Sequence, residues 1–438
     1  MENRNKRALH FTVASFFIYL FTSVLFQVFG WSWEPFDRIN LVSEVFRKKE
    51  KPKDSLIAQP KIEIREKPTQ DFELYKSPNL ITNFYTDNSA ALPQFIEKLR
   101  QLKNGKNIKI RIAYFGDSMI EGDLMTQNLR KLLQQKYGGS GVGFVPISSN
   151  VAGFRQTVTS SASGWDDANF KTKNARNLYF SGHIFTGNGS GSYTDNTIAN
   201  PQAIIEKSII FGKTESGNLT ANGVEFNLNG TQFVNKKVLF KDQSRLLRIK
   251  NNTAATPLFG ISFESETGIF VDNFSFRGIT GIELNRLDEN FLQSVQQTNH
   301  YDLIVFQYGV NLLFRPKDTN YNYYAKLMDP VLKKFKNAFP DSDFLIVSAA
   351  DRAFRYDGEY KTAIGLPNLL EIQAKLALDN GFAFYNQFET MGGENSIVKW
   401  ANENPRLANK DYVHPNGRGA DILGEKLFEA IVKLEGKK

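Results

Sequence analysis

The sequence predicts an α/β fold with a parallel sheet, interrupted by an inserted β-sandwich domain and preceded by one N-terminal transmembrane helix. Three observations carry this. A run of β-branched and aromatic residues at 108–115 passes through Gly116-Asp117-Ser118 into a helical pattern at 124–137, the opening unit of an α/β sheet. Strand–helix alternation returns from Gly268 to the end of the chain. Between these blocks, from about 150 to 265, Asn/Gly/Thr clusters break up short β-rich runs at 8–12-residue spacing, the pattern of a sandwich.

The elements follow in chain order. Segment 11–31, FTVASFFIYLFTSVLFQVFGW, has no charged residue. At ~1.5 Å per residue it is long enough for a hydrocarbon core of about 30 Å. Arg4, Lys6 and Arg7 precede it, while Glu34 and Asp37 follow. The positive-inside rule then keeps residues 1–10 in the cytoplasm and exports the rest. Trp31 and Trp33 stand where an interfacial belt would be. A cleaved signal peptide would have a shorter apolar region and a small-x-small site, whereas this segment ends in Phe-Gly-Trp-Ser-Trp. Residues 32–80 carry Pro35, Pro52, Pro60 and Pro68 among mixed charges and read as a stalk.

The first α/β part, 81–155, opens with Leu92, Phe95, Ile96, Leu99 and Leu102 on one helical face. The insertion, 156–266, holds β-runs at 203–211, 224–228 and 237–240. Its Tyr179, Phe180, Tyr193, Phe226 and Phe233 are candidates for stacking on sugar rings, and it reads as a lobe beside the cleft. The second α/β part, 267–438, alternates strands at 269–276, 301–307, 344–348 and 382–385 with helices at 323–339, 369–380 and 420–433.

Composition removes whole classes of chemistry. The chain of 438 residues has no Cys, which excludes disulfides, thiolate metal sites and thiol nucleophiles. Its four His (His10, His183, His300 and His414) are scattered, so no His-rich metal site is expected. A net charge of +8 fits attraction to polyanions or an anionic membrane surface and does not single out nucleic acid.

Three motifs carry chemistry. Gly116-Asp117-Ser118 presents a serine at the carboxyl edge of a sheet, where backbone N–H groups and a following helix N-terminus favour negative charge. Asp411-Tyr412-Val413-His414 puts an Asp three residues before a His, close enough to orient an imidazole that takes a serine proton. Gly309-Val310-Asn311 follows a buried strand and can aim an amide at a developing oxyanion. Gly278, with Gly281 three residues on, ends another strand and offers a backbone N–H. Asp351-Arg352 after 344–348 reads equally as cleft lining or turn. Asp166, Asp167, Glu264 and Glu266 are candidate calcium ligands, though they read more simply as solvated surface.

In this chain order the motifs resemble the SGNH (GDSL-type) hydrolase family, over about 85–150 and 268–438. The family's marker residues fall on Ser118, Gly278, Asn311 and His414, with Asp411 completing a triad. The third block departs by reading Gly-Val-Asn-Leu, where an acid often follows the Asn. The resemblance implies a flavodoxin-like three-layer sandwich and a serine esterase, with Ser118 as nucleophile and His414 as base. Its oxyanion donors would be the Ser118 and Gly278 N–H groups and the Asn311 amide, with no metal or organic cofactor. A β-rich insertion between the first two blocks further resembles envelope peptidoglycan and polysaccharide O-acetylesterases with a carbohydrate-binding-like domain. That implies an acetylated envelope glycan as substrate, on the periplasmic side of a bacterial inner membrane. The same site would also serve acetyl transfer with a membrane-bound O-acyltransferase, or glycan binding without turnover.

Overall fold

The computed structural model describes residues 2–31, 33 and 69–436, which divide into units 1–66 and 67–438. Most of the expected stalk lies outside the described residues. In the first unit, Glu2–Phe29 is one helix whose stretch Leu9–Phe26 is long and apolar enough to cross a membrane.

The second unit is built on a six-stranded sheet. From one edge the order is Ile81–Thr82, Ala383–Tyr385, Asp343–Val347, Leu303–Gln307, Lys109–Gly116 and Gly268–Ser275. The last five are parallel to one another, and only Ile81–Thr82 runs antiparallel. Counted along the chain, the parallel strands lie in the order 2-1-3-4-5, the flavodoxin-like arrangement.

Both faces of this sheet are covered, and the strand sequences show why. Side chains alternate across a strand. Ile110, Ile112 and Tyr114 enter one core with helices Pro93–Lys103, Thr126–Tyr137 and Gly417–Glu435. Ala113 and Phe115 enter the other with Glu289–Thr298, Asn322–Ala338 and Leu366–Asn380. Leu303/Val305 against Ile304/Phe306 repeats the split. Burial on both faces makes such strands read as unbroken apolar runs.

The 158–264 stretch forms two antiparallel sheets. Tyr193, Leu219, Leu228 and Leu247 from one meet Phe185, Ile209, Phe211 and Ile261 from the other in a shared core. Strand Gly143–Pro146, which precedes the expected insertion, pairs with Leu258–Glu264. This stretch shares a buried core with the α/β part. Phe170, Tyr179, Phe180, Ile210 and Phe259 belong to the same buried cluster as Phe115, Phe274 and Phe335 of the α/β part. Polar wiring crosses the same boundary: the Arg111 guanidinium donates to Glu264 at 2.6 Å and 3.2 Å, and Lys109 and Lys236 lie 3.0 Å and 3.4 Å from that carboxylate. Burial raises the Glu264 pKa, but these cations overcome it and hold the carboxyl well below its usual range.

Candidate active site

The nucleophile block sits where the strand order reverses. Strands Lys109–Gly116 and Leu303–Gln307 are neighbours, and their carboxyl ends continue into Asp117-Ser118 and Tyr308–Asn311. After Gly116 the chain turns sharply: Asp117 Oδ1 accepts the Met119 N–H at 2.9 Å, and Ile120 N–H reaches the Asp117 carbonyl. A Cβ on Gly116 would stand 2.8 Å from Ile120, so a larger residue would disturb this turn. One expectation needs correcting. Ser118 does not begin a helix; a 3-10 turn at Glu121–Asp123 intervenes and the helix starts at Thr126.

The structure brings the Asp-x-x-His loop to that serine across 296 residues of chain. Ser118 Oγ lies 2.9 Å from His414 Nε2, and His414 Nδ1 lies 2.8 Å from Asp411 Oδ2. The other oxygen of Asp411 accepts the N–H groups of Val413 and His414 at 2.9 Å and 3.1 Å. One carboxylate thus folds the loop and aligns the ring. Partial burial raises the Asp411 pKa, but the His414 bond and the two N–H donors more than offset it, leaving the carboxyl below its ordinary value. Asn416 fixes the loop's far end by capping helix Gly417–Glu435, accepting from Arg418 and Gly419.

Asn311 ties three blocks together. Its Nδ2 donates to Asp117 Oδ2 at 3.0 Å and to the carbonyl of Ile279, next to Gly278, at 2.8 Å. Gly278 has φ +84, a conformation glycine adopts without strain. Asp117 is fully buried; desolvation pushes its pKa up to about 7, against the Met119 N–H and the Asn311 amide, which pull it down.

No family model matches the sequence, and no curated protein matches it. Among solved structures, a peptidoglycan O-acetylesterase aligns over 78% of this chain and 96% of its own, with 23% identity and a TM-score of 0.64. The chain shares the fold of that esterase. The similarity recognised from the motifs is met at this level. An acetyl xylan esterase from Geobacillus stearothermophilus, 17% identical over 40% of this chain and 75% of its own, aligns with a TM-score of 0.29. A second acetyl xylan esterase, 16% identical over 37% and 80%, gives 0.27. Both scores are too low to carry structural argument.

Around this centre the pair Asp351-Arg352, which the sequence reads equally as cleft lining or turn, takes two separate parts. Arg352 Nη1 donates to the Val310 carbonyl at 2.7 Å, and the neighbouring Ala353 N–H bonds to the carbonyl of Tyr412, inside the His414 loop. Its partner in sequence, Asp351, instead anchors Thr362, Ser396 and the Ile397 N–H. Phe314, three residues past Asn311, and Phe154 are exposed at 55% and 81%. By contrast Tyr179, Phe180 and Tyr193 are wholly buried and cannot stack on a sugar; of the five expected, only Phe233 is exposed and Phe226 partly so. Of the four acids considered for calcium, Asp167 bonds to His183 at 2.7 Å, and Glu264 is not the solvated surface expected: it is buried and paired with Arg111, Lys109 and Lys236.

Proposed function

We propose that this chain is a serine esterase that removes O-acetyl groups from a cell-envelope glycan, held to the membrane by its N-terminal helix with the second unit outside the cytoplasm. The observation that carries the reading is the continuous contact Ser118–His414–Asp411 at 2.9 Å and 2.8 Å at the carboxyl edge of the sheet. His414 takes the Ser118 proton as the oxygen attacks the acetyl carbonyl, and returns it to the departing sugar hydroxyl; water then repeats the cycle on the acyl-enzyme. Asp411 holds the imidazole in the productive orientation and stabilises its charged form.

Asn311 and the N–H groups of Ser118 and Gly278 are assigned to the oxyanion. The Asn311 amide donates to Asp117 and Ile279, so serving the oxyanion requires the whole amide to turn, exchanging its bond to Asp117 for one to the substrate oxygen. Phe154 and Phe314 are exposed and suit the faces of sugar rings. The fold relative named for peptidoglycan O-acetyl groups supports an acetylated glycan as substrate and hydrolysis over transfer. Acetate release from O-acetylated peptidoglycan by the full-length chain tests this. The wild type should release acetate and Ser118→Ala should not; equal release by both would refute it.

A further inference from the structure

A second polar site begins three residues after Ser118. A cavity of about 220 Å³ is lined by Glu121, Arg155, Lys171, Ser181, His183 and Arg277 among others. It opens at the carboxyl end of the strand Gly268–Ser275, where Asn273, Ser275 and Arg277 line it. Its two acids are committed. Asp123 receives the Arg130 guanidinium at 2.8 Å and 2.9 Å, and Glu121 pairs with Arg277. Ser181, only 5% exposed, has a hydroxyl with no hydrogen-bond partner among the described residues.

Lys171 also belongs to an adjoining depression lined by Lys173, Arg176 and Arg286, with no Asp or Glu in its lining. Lys171, Lys173 and Arg176 are exposed, and no ion pair is formed by any of them among the described residues. The loop that carries them is rigidly built. Arg286 donates to the carbonyls of Phe170, Thr172 and Ala175 at 2.5, 3.1 and 2.8 Å. Asn169 folds its near end by accepting the Lys171 N–H at 3.0 Å. A half-buried arginine therefore spends its donors on holding three cations together on a surface, at a cost in mutual repulsion that a bound anion would relieve.

We infer that this ridge and cavity are a subsite for carboxylate groups of the glycan, so that the substrate is an acetylated acidic polysaccharide with its ester at Ser118. This rests on the esterase reading and deepens it. A carboxylate entering the cavity meets Lys171, and beside it Arg155, whose Nη2 lies 3.5 Å from Asp123; neighbouring carboxylates along the polymer meet Lys173 and Arg176. A membrane of anionic lipid would satisfy the same cations, but the cavity's start three residues from Ser118 favours the substrate.

The test is binding, which needs no ester. The full-length Ser118→Ala chain should bind polygalacturonate at least about tenfold more tightly than the same polymer after carboxyl reduction, and the difference should vanish at high salt. Changing Lys171, Lys173 and Arg176 together to Ala should remove the preference; all three are exposed, so the fold is kept, and the salt response of the unaltered ridge gives an independent reading. Peptide-bearing peptidoglycan set against peptide-stripped strands assigns the carboxylate: preference for the former places it on the peptide, preference for polygalacturonate on the sugar, and either supports the subsite. Equal binding of the native and reduced polymers, or an unaffected triple variant, would overturn it. A chain that shows the carboxylate preference but releases no acetate from any ester keeps the subsite and loses the esterase reading.

Discussion

Two crossovers join neighbouring strands of one parallel sheet, and they contribute different things. The connection from Leu303–Gln307 to Asp343–Val347 contains a single long helix, Asn322–Ala338. The connection from Lys109–Gly116 to Gly268–Ser275 contains Thr126–Tyr137 and then two whole β-sheets, yet returns in register, Gly268 against Lys109 and Ser275 against Gly116. The shorter one begins with Asn311 and Phe314; the longer one supplies Lys171, Ser181 and His183. Chemistry is positioned by short, tightly hydrogen-bonded turns at strand ends, and the rim is assembled from remote chain. Lengthening a connection costs little entropy, because loop closure grows only logarithmically with length. What ties the long crossover down is its shared aromatic core.

That difference can be broken most severely by excision. Replacing 156–266 with a short Gly/Ser linker removes Phe170, Tyr179, Phe180, Ile210 and Phe259 from the main core and leaves Arg111 buried without Glu264. Each large buried side chain is worth a few kcal/mol and an unpaired buried charge another ~3–5 kcal/mol, together exceeding ordinary domain stability. Circular dichroism should show an unfolded chain; a folded, cooperative variant would mean the two sheets are a separable lobe.

The short turns are tested by point changes. Ser118→Ala should lower turnover of a small soluble acetyl ester by about 10⁴-fold or more, His414→Ala should match it, and Asp411→Ala should fall short of both. Asn311→Ala should cost roughly 10²–10³-fold in kcat as one oxyanion donor. A near-normal rate would make the Gly309–Asn311 turn purely structural.

The smallest effect concerns stability. With Asp117 raised to about 7 in the fold from an ordinary 3.8, the folded chain holds a proton between those values that the unfolded chain has released. Its contribution therefore falls as pH rises through that window and is flat above it. Relative to Asp117→Asn, the wild type should lose up to ~4 kcal/mol between pH 4 and 7 in chemical denaturation. Parallel stability curves for the two proteins would place the Asp117 pKa near its ordinary value.

Much of this was legible in the sequence for identifiable reasons. Central strands such as 303–307 are buried on both faces, so they read as continuous apolar runs, and the Asp411/His414 spacing is local enough to be seen without a fold. Other features were hidden because their partners are distant. Nothing local to Arg352 announces a bond to Val310, 42 residues away. The late helix start at Thr126 depends on the Asp117 turn and the Glu121–Asp123 segment, which share their composition with a helix first turn. Residue type alone also could not tell buried Tyr179 and Tyr193 from exposed Phe154, since aromatic rings serve cores and sugar faces equally. The strand pair Ala353–Tyr356 and Glu359–Thr362 is simply too short to show a period.

The most direct test of the central claim is covalent capture. A fluorophosphonate reacts with a serine only where a base activates it, so the full-length chain should be labelled and peptide mass spectrometry should locate the adduct on Ser118. Labelling should disappear in His414→Ala, where the serine remains but the 2.9 Å contact is gone. An adduct on another serine, or equal labelling of the His414→Ala protein, would contradict the assignment of Ser118 as the activated nucleophile.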